Sequence, residues 1–284
     1  MCYIRYDLYV ISNRGTMRDI LFELQDLRRL SWSEKANTSG TGGCFLKSRE
    51  ETGAGTWYYK LSCYDSYRGV YGHECINEVV ASRLMSALGI PHLEYRLVHA
   101  LVNIDGAETE TWLNRSKSFR ATGERKQALD TFYDLHKQEG ESPLELCDRY
   151  GWGTQIRQMM LVDYLIANRD RHGANIEVLR GRDGSLRLAP IFDNGLSFVF
   201  SCYGDESRVS NFNALADVNA NNYLGTKSLS ENLERFVAGC IDMPKLTNSD
   251  IDAIFLGLER TLPETHLAKM KEMIIKRWQR YEAL

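Results

Sequence analysis

The chain has 284 residues, 43% of them hydrophobic and 26% charged, and its 35 Lys+Arg against 38 Asp+Glu give a net charge of -3. These values fit one large globular domain or two small lobes, and they exclude a disordered chain, a fibre and a disulfide-stapled mini-scaffold. A mildly acidic chain with no apolar run near the roughly 18–20 residues of a membrane span gives no reason to expect a nucleic-acid or membrane partner.

In chain order, Tyr3–Ile11 has strand-like residues, and Thr16–Leu30 carries Ile20, Leu21, Leu24, Leu27 and Leu30 at helical spacing. A small-residue stretch, Thr38–Gly43, precedes Cys44–Lys47, and Thr56–Leu61 reads as an aromatic strand. The segment from His73 to Ile90 predicts a helix with Ile76, Val79, Val80, Leu84 and Leu88 on one face and Gly89 at its end. Strands Tyr95–Ile104 and Glu108–Leu113 flank an Asp105-Gly106 turn. Gln127–His136 predicts a short amphipathic helix, and Ser142-Pro143-Leu144-Glu145 a capping box for a helix that Gly151 closes. Thr154–Asn168 is apolar nearly all round, as in a buried helix. Residues 203–226 read as a long Asn-rich loop, of a length uncommon unless functional or disordered. Helices are expected to start near Ser228, Ser249 and Pro263. The expected fold is therefore α+β and two-lobed, with a sheet-rich lobe over 1–118 and a mainly helical lobe over 119–284.

Seven cysteines, an odd number with no C-x-x-C pair, read as buried or incidental thiols of a reducing compartment. The N-terminus lacks a signal-peptide core, so a cytoplasmic location is expected.

The chemistry concentrates in LIANRDRHGANIEVLRGRDGSLRLAPIFDNG. The spacing D-x-x-x-x-N occurs three times, at Asp163/Asn168, Asp170/Asn175 and Asp217/Asn222, so spacing alone selects none. Context selects the middle pair. It follows the buried helix, and a hairpin (Ile176–Leu179, an Asp183-Gly184 turn, Leu186–Ala189) should bring Asp193 back beside Asn175. Phosphoryl transfer needs a carboxylate to orient and deprotonate a hydroxyl, and an amide oxygen and a second carboxylate to hold Mg²⁺ against phosphates. Asp170 fits the first role, and Asn175 and Asp193 the others. Gly195 would let the backbone turn after Asp193. Upstream, Lys60 on a strand and Glu78 on the next helix suit an ammonium fixed against nucleotide phosphates, and Ser39, Gly40, Thr41, Gly42 and Gly43 suit a phosphate cradle. Asp163, inside an apolar helix, reads as a buried group bracing the following loop.

At these residues, N-R-D-R-H-G-A-N followed by A-P-I-F-D-N-G, the sequence resembles the HipA-like serine/threonine kinases of the protein-kinase-like superfamily. The D-R-H-x-x-N form is also similar to phosphatidylinositol kinases. The resemblance implies ATP and Mg²⁺ as cofactors and a protein Ser/Thr as substrate. It implies Asp170 as catalytic Asp, His172 and Asn175 at the nucleotide–metal site, Asp193 on Mg²⁺, Lys60 and Glu78 as the ion pair, and Ser39–Gly43 as phosphate loop. Trp112–Ser116, with Asn114, Arg115 and Ser116, would be the strand end and hinge that meet adenine. Ser39 would be the analogous candidate for autophosphorylation, with Ser31, Ser33 and Thr38 close by as alternatives. The residues before 38 are too few for the extra N-terminal subdomain of HipA toxins, so a dedicated antitoxin partner is not implied. Two other expectations differ in class: a lipid or small-alcohol acceptor, and a catalytically silent kinase-shaped binding module, which should lack Lys60, Asp170, Asn175 or Asp193.

Overall fold

A computed structural model of the chain describes residues 19–35, 44–53 and 55–284. The expected strand Tyr3–Ile11 and the small-residue stretch Thr38–Gly43 lie outside the described residues.

The first part is a seven-stranded sheet. Its strands are β1 (Ile20–Asp26), β2 (Ser33–Lys35), β3 (Cys44–Thr52), β4 (Gly55–Asp65), β5 (Gly69–Val70), β6 (Tyr95–Ile104) and β7 (Ala107–Lys117). The order is β1-β6-β7-β4-β3-β2, with β5 added on β4. All neighbours are antiparallel except β1, which runs parallel to β6. The β6–β7 hairpin turns at Asp105 and Gly106, both at positive φ (53° and 88°). That is the backbone a two-residue hairpin loop requires, and Asp-Gly is its preferred sequence.

The helix expected over Thr16–Leu30 is absent over its described residues, where β1 forms instead. Leu24, assigned to the apolar helical face, is 45% exposed, while Ile20 packs in the main core and Leu27 and Leu30 pack under the sheet. Pairing with β6 satisfies part of the backbone of 20–26, at Ile20–Leu21 and Gln25–Asp26, and a short apolar run has no intrinsic preference strong enough to resist it.

Between the strand pairs lies α1 (Glu74–Ala87), which ends at Leu88 with Gly89 at φ 66°. Every residue of α1 from Glu74 to Met85 is buried, so it has no solvent face over that length. It is packed between the sheet and the helices that follow, and Arg83 ties it to the Ile254 and Leu256 carbonyls at 2.8 Å each.

The rest is mainly helical: α2 (Leu129–His136), α3 (Pro143–Arg149), α4 (Gly153–Ile166), α5 (Glu206–Ser210), α6 (Leu229–Asn232), α7 (Asn248–Phe255) and α8 (Glu264–Glu282). The Ser142/Glu145 capping box is formed at α3. α2 starts at Leu129 rather than Gln127, because β8 (Arg125–Ala128) pairs with β10 (Glu177–Arg180), itself paired with β11 (Leu186–Leu188). A two-residue bridge joins β9 (Asp170–Arg171) to β12 (Asn221–Asn222). The 203–226 segment is held in place by more than that bridge. Buried Arg277 on α8 donates to the Ala214 and Ala216 carbonyls and to Tyr164 of α4, at 2.6–2.8 Å.

Candidate active site

The sheet and the helical part face each other across a cleft of about 550 Å³. Lys60, Asn114, Ser116, Asn175 and Asp193 all line it. β4 supplies Lys60 from the middle of the sheet, where alternation sends Tyr59 and Leu61 to the opposite face and into the small core beneath the sheet. The Lys60 Nζ lies 2.5 Å from Asp193 Oδ1 and 3.4 Å from Glu78 Oε1. The Lys60 and Glu78 side chains are 12% and 0% exposed, so this triad sits in a weakly screened place.

The electrostatics follow from burial and pairing. Burial pulls the Lys60 ammonium down, but Asp193 and Glu78 outweigh it and hold its pKa well above the ordinary value. Burial pushes Asp193 up, yet Lys60 and Lys47 hold its carboxyl far below the carboxylate range. Glu78 moves the other way, raised by complete burial despite Lys60. Glu78 is not wasted as an anion: its second oxygen accepts the Asn194 N–H at 2.8 Å. α1 therefore holds the Asp193 segment by its backbone as well as through Lys60. Asn77 adds two more ties, donating to the Gly195 and Ser197 carbonyls at 2.8 and 3.0 Å.

Gly195 does not act as expected. It is not among the glycines at positive φ; Asp193 itself is left-handed, with φ 60°. What Gly195 provides is proximity. A Cβ there would stand 3.1 Å from Glu74 Cβ and 3.4 Å from the Glu74 carbonyl oxygen, so the missing side chain lets the loop press against α1.

Asp170 lies on β9. Its backbone carbonyl accepts from Asn175 Nδ2 at 3.0 Å, which fixes the Asn175 amide and leaves its oxygen for other work. The carboxyl of Asp170 accepts from Asn221 Nδ2 at 3.2 Å, and His172 Nε2 stands 3.8 Å from its other oxygen. His172 is not a lining residue of the cleft. Asn114 and Ser116 share the cleft face of β7, whereas Arg115 projects from the other face and stacks over Trp57 at 4.4 Å. β7 continues to Lys117, so Trp112–Ser116 lies within the strand, and the cleft wall runs on through Ser118, Phe119 and Arg120. Ser39, Gly40, Thr41, Gly42 and Gly43 lie outside the described residues.

Asp163 braces the next loop, as its burial in α4 suggested: it accepts from Asn168 Nδ2 at 2.8 Å and from the Arg171 guanidinium at 2.8–3.2 Å. Arg171 extends the brace to Asn194 Oδ1 (2.6 Å) and the Phe192 carbonyl (2.8 Å), joining the Asp170 and Asp193 segments.

Several residues escaped the sequence reading. Lys47 stands opposite Lys60 in the β3–β4 register and acts on Asp193; nothing short of the register marks it. Tyr95 accepts the Asp193 N–H through its hydroxyl at 3.4 Å. Asn221 was hidden in an Asn-rich loop whose unusual length was the only signal. Among the described residues, no group of three or more His, Cys, Asp or Glu could hold a metal. No described helix is long and apolar enough to cross a membrane.

No protein-family model and no curated protein matches this sequence. Solved structures do. The Helicobacter pylori proinflammatory kinase CtkA superposes with a TM-score of 0.54 at 16% identity, over 89% of this chain and 93% of that one. The Shewanella oneidensis MR-1 toxin–antitoxin protein HipA, solved with HipB and its operator DNA, gives 0.42 at 18% identity, over 89% and 59%. The Neurospora crassa PAN3 pseudokinase gives 0.33 at 14%, over 94% and 67%. The superposition on the H. pylori kinase spans both the sheet and the helical part, and its identity speaks to architecture alone. The chain has the two-lobed α+β fold of the protein-kinase-like proteins.

Proposed function

We propose that this chain is an ATP- and Mg²⁺-dependent kinase of HipA-like type that transfers a phosphoryl group to a Ser or Thr hydroxyl of a protein. The observation that carries this is the Lys60 ammonium held between Glu78 and Asp193 on the wall of a deep cleft. An ammonium so placed is a ready partner for nucleotide phosphates. The cleft suits the ligand: among the described residues, six basic ones line it (Lys47, Arg49, Lys60, Lys117, Arg120 and Lys126) against two acidic ones (Glu177 and Asp193). Leu93, Phe119 and Phe192 supply an apolar wall for a flat base, with the two Phe rings 5.7 Å apart.

Asn175 and Asp193 would hold Mg²⁺, which takes only one or two protein ligands beside phosphate oxygens and water. Bound there, the metal would neutralise charge on the β- and γ-phosphates. Asp170 would accept the proton of the attacking hydroxyl, with Asn221 orienting its carboxylate. His172, beside Asp170, and the backbone of 114–116 would complete the nucleotide site. We place the lobe boundary at 118, and Ser39 as a site of autophosphorylation.

The test is ³²P transfer from labelled ATP with Mg²⁺, to the chain itself and to proteins of a cell extract, followed by mass spectrometry of the products. Asp170→Ala and Asp193→Ala should each lower incorporation at least about a hundredfold with an unchanged circular dichroism spectrum. Undiminished incorporation in either variant removes the role given to that residue. Label appearing only in lipid or small molecules would replace the protein acceptor.

A further inference from the structure

Beside the cleft lies a separate depression of about 640 Å³. Among the described residues, Arg125, Arg180 and Arg182 line it against a single carboxylate, Glu124, and Gly123, Gly181 and Gly184 complete its surface. One stretch of chain serves both spaces. Phe119, Arg120 and Lys126 line the cleft, whereas Glu124 and Arg125 line the depression. Alternation along β8 explains the split, since it sends Arg125 and Lys126 to opposite faces.

The three arginines are gathered against their mutual repulsion. Arg125 and Arg180 stand directly opposite each other in the β8–β10 register. Like charges so placed destabilise a strand pair. Arg182 joins them from the turn after β10. A Cβ on Gly123 would fall on the Arg182 guanidinium, so that side chain folds back onto the chain two residues before Arg125.

No carboxylate compensates. Glu124 is engaged by the Arg187 guanidinium at 2.8 and 2.9 Å and by the Ala121 N–H at 2.7 Å. Asp183, next to Arg182, accepts instead from the Ser185 N–H and hydroxyl, at 3.0 and 2.6 Å. Glu177 of β10 pairs with Lys126 on the cleft side. Arg125, Arg180 and Arg182 are exposed and make no ion pair, side-chain hydrogen bond or ring contact among the described residues. Other exposed arginines, such as Arg28, Arg29 and Arg235, each have a carboxylate partner.

Three unpaired guanidinia around one depression suit a dianion with several acceptor oxygens, and a phosphorylated side chain is such a group. In a chain of net charge -3 the cluster is local, which fits one phosphate better than a nucleic-acid backbone or an anionic membrane. We propose that the depression binds a phosphoserine or phosphothreonine of a protein substrate, its phosphate held by Arg125, Arg180 and Arg182. The proposal rests on the kinase reading and deepens it by naming a substrate class: proteins already phosphorylated near the acceptor hydroxyl. β10 runs from Glu177 at the cleft to Arg180 at the depression, three residues or about 10 Å apart, so a segment of a few residues spans the two.

The test is fluorescence anisotropy of the full chain, without nucleotide, with a labelled peptide of Gly and Ala carrying one phosphoserine. Saturable binding is expected, at least about tenfold tighter than that of the same peptide with serine, because the charge-assisted hydrogen bonds are lost. Inorganic phosphate should compete at least about tenfold more weakly than the peptide. Arg125→Gln, Arg180→Gln and Arg182→Gln should each weaken binding at least about fivefold with an unchanged circular dichroism spectrum. Arg208→Gln, which removes the same charge from an exposed position on α5, should leave it within about twofold. Equal binding of the serine peptide, an equal loss in Arg208→Gln, inorganic phosphate as tight as the peptide, or tighter binding to phosphatidylserine vesicles would each overturn the assignment. Selective binding without ³²P transfer would keep the phosphate site and remove the kinase reading, and transfer without selective binding would do the reverse.

Discussion

Arg171 shows how a single side chain sets the geometry of the candidate site. Its guanidinium is 1% exposed and spends its donors on Asp163, Asn194 and the Phe192 carbonyl. Removing it would leave the fully buried Asp163 carboxylate without its main cation and would free the Asp193 segment from the Asp170 segment. Arg171→Ala should therefore cost about 3–5 kcal/mol in urea unfolding, the range for breaking a buried charge pair. Arg171→Lys should recover only part of that, since an ammonium keeps the charge but not the planar fork. A loss below about 1 kcal/mol for the Ala variant would place the brace elsewhere. The neighbouring sequence shows what is readable at this scale. Asp170, Asn175 and Asp193 are visible as a spaced set, and Asp163 is conspicuous as a carboxylate in an apolar helix. Arg171 is not, because an arginine beside an aspartate reads as surface until its partners are known.

At the scale of elements, backbone strain gathers around the same loops. Of the four non-glycine residues at positive φ among the described residues, Asp105 serves a hairpin turn, and Ala167, Asp193 and Phe198 bracket the candidate site. Ala167 (φ 52°) ends α4 directly before Asn168, in the position where helices most often place glycine. An alanine there pays for the left-handed conformation with roughly 1 kcal/mol. Ala167→Gly should raise stability by about 0.5–1 kcal/mol, read as a higher unfolding midpoint. A fall would mean that the Ala167 methyl, fully buried, packs for more than the strain costs. Elements also separate what periodicity could and could not reveal. The capping box at Ser142 and the Asp105-Gly106 turn are local chemistry and appear where the sequence puts them. β1 has no such local marker, so its strand state waits on the β6 edge it joins.

For the whole molecule, burial of histidine at the junction of α1 and α8 makes stability pH-dependent. Burial and the nearby His266 bring His73 down from its ordinary 6.5 to about 3. The unfolded chain takes up a proton near pH 6.5 and the folded chain does not. The stabilisation from a neutral His73 is thus complete above about 6.5 and is lost as pH falls from there toward 3, at up to about 1.4 kcal/mol per unit. His266, also lowered by burial, acts in the same direction. Glu74 and Glu78, raised by burial, act in the opposite one, so the net slope is a poor gauge of His73 alone. A paired comparison isolates it. Between pH 7 and 5.5, the wild type should lose about 1.4 kcal/mol more than His73→Phe in urea unfolding. Equal losses would show that His73 is protonated in the folded protein.

The sequence by itself determined the fold class and those elements that carry their own local markers, and it singled out the stretch around Asp163–Gly195 on which the candidate site draws. Each of these rests on local information: turn residues, caps, hydrophobic runs, and carboxylates at short spacing. The 112–116 segment shows the limit of that information, since alternation along β7 turns Asn114 and Ser116 to the cleft and Arg115 to Trp57. Only the tertiary structure decided that Lys60 meets Asp193 across 133 positions of sequence. It also decided that Lys47 stands beside Lys60, that α1 is buried on all sides from Glu74 to Met85, and that Gly195 serves close approach rather than a turn. Those contacts depend on sheet register and on how the two parts pack, and neither is encoded within any one stretch of chain.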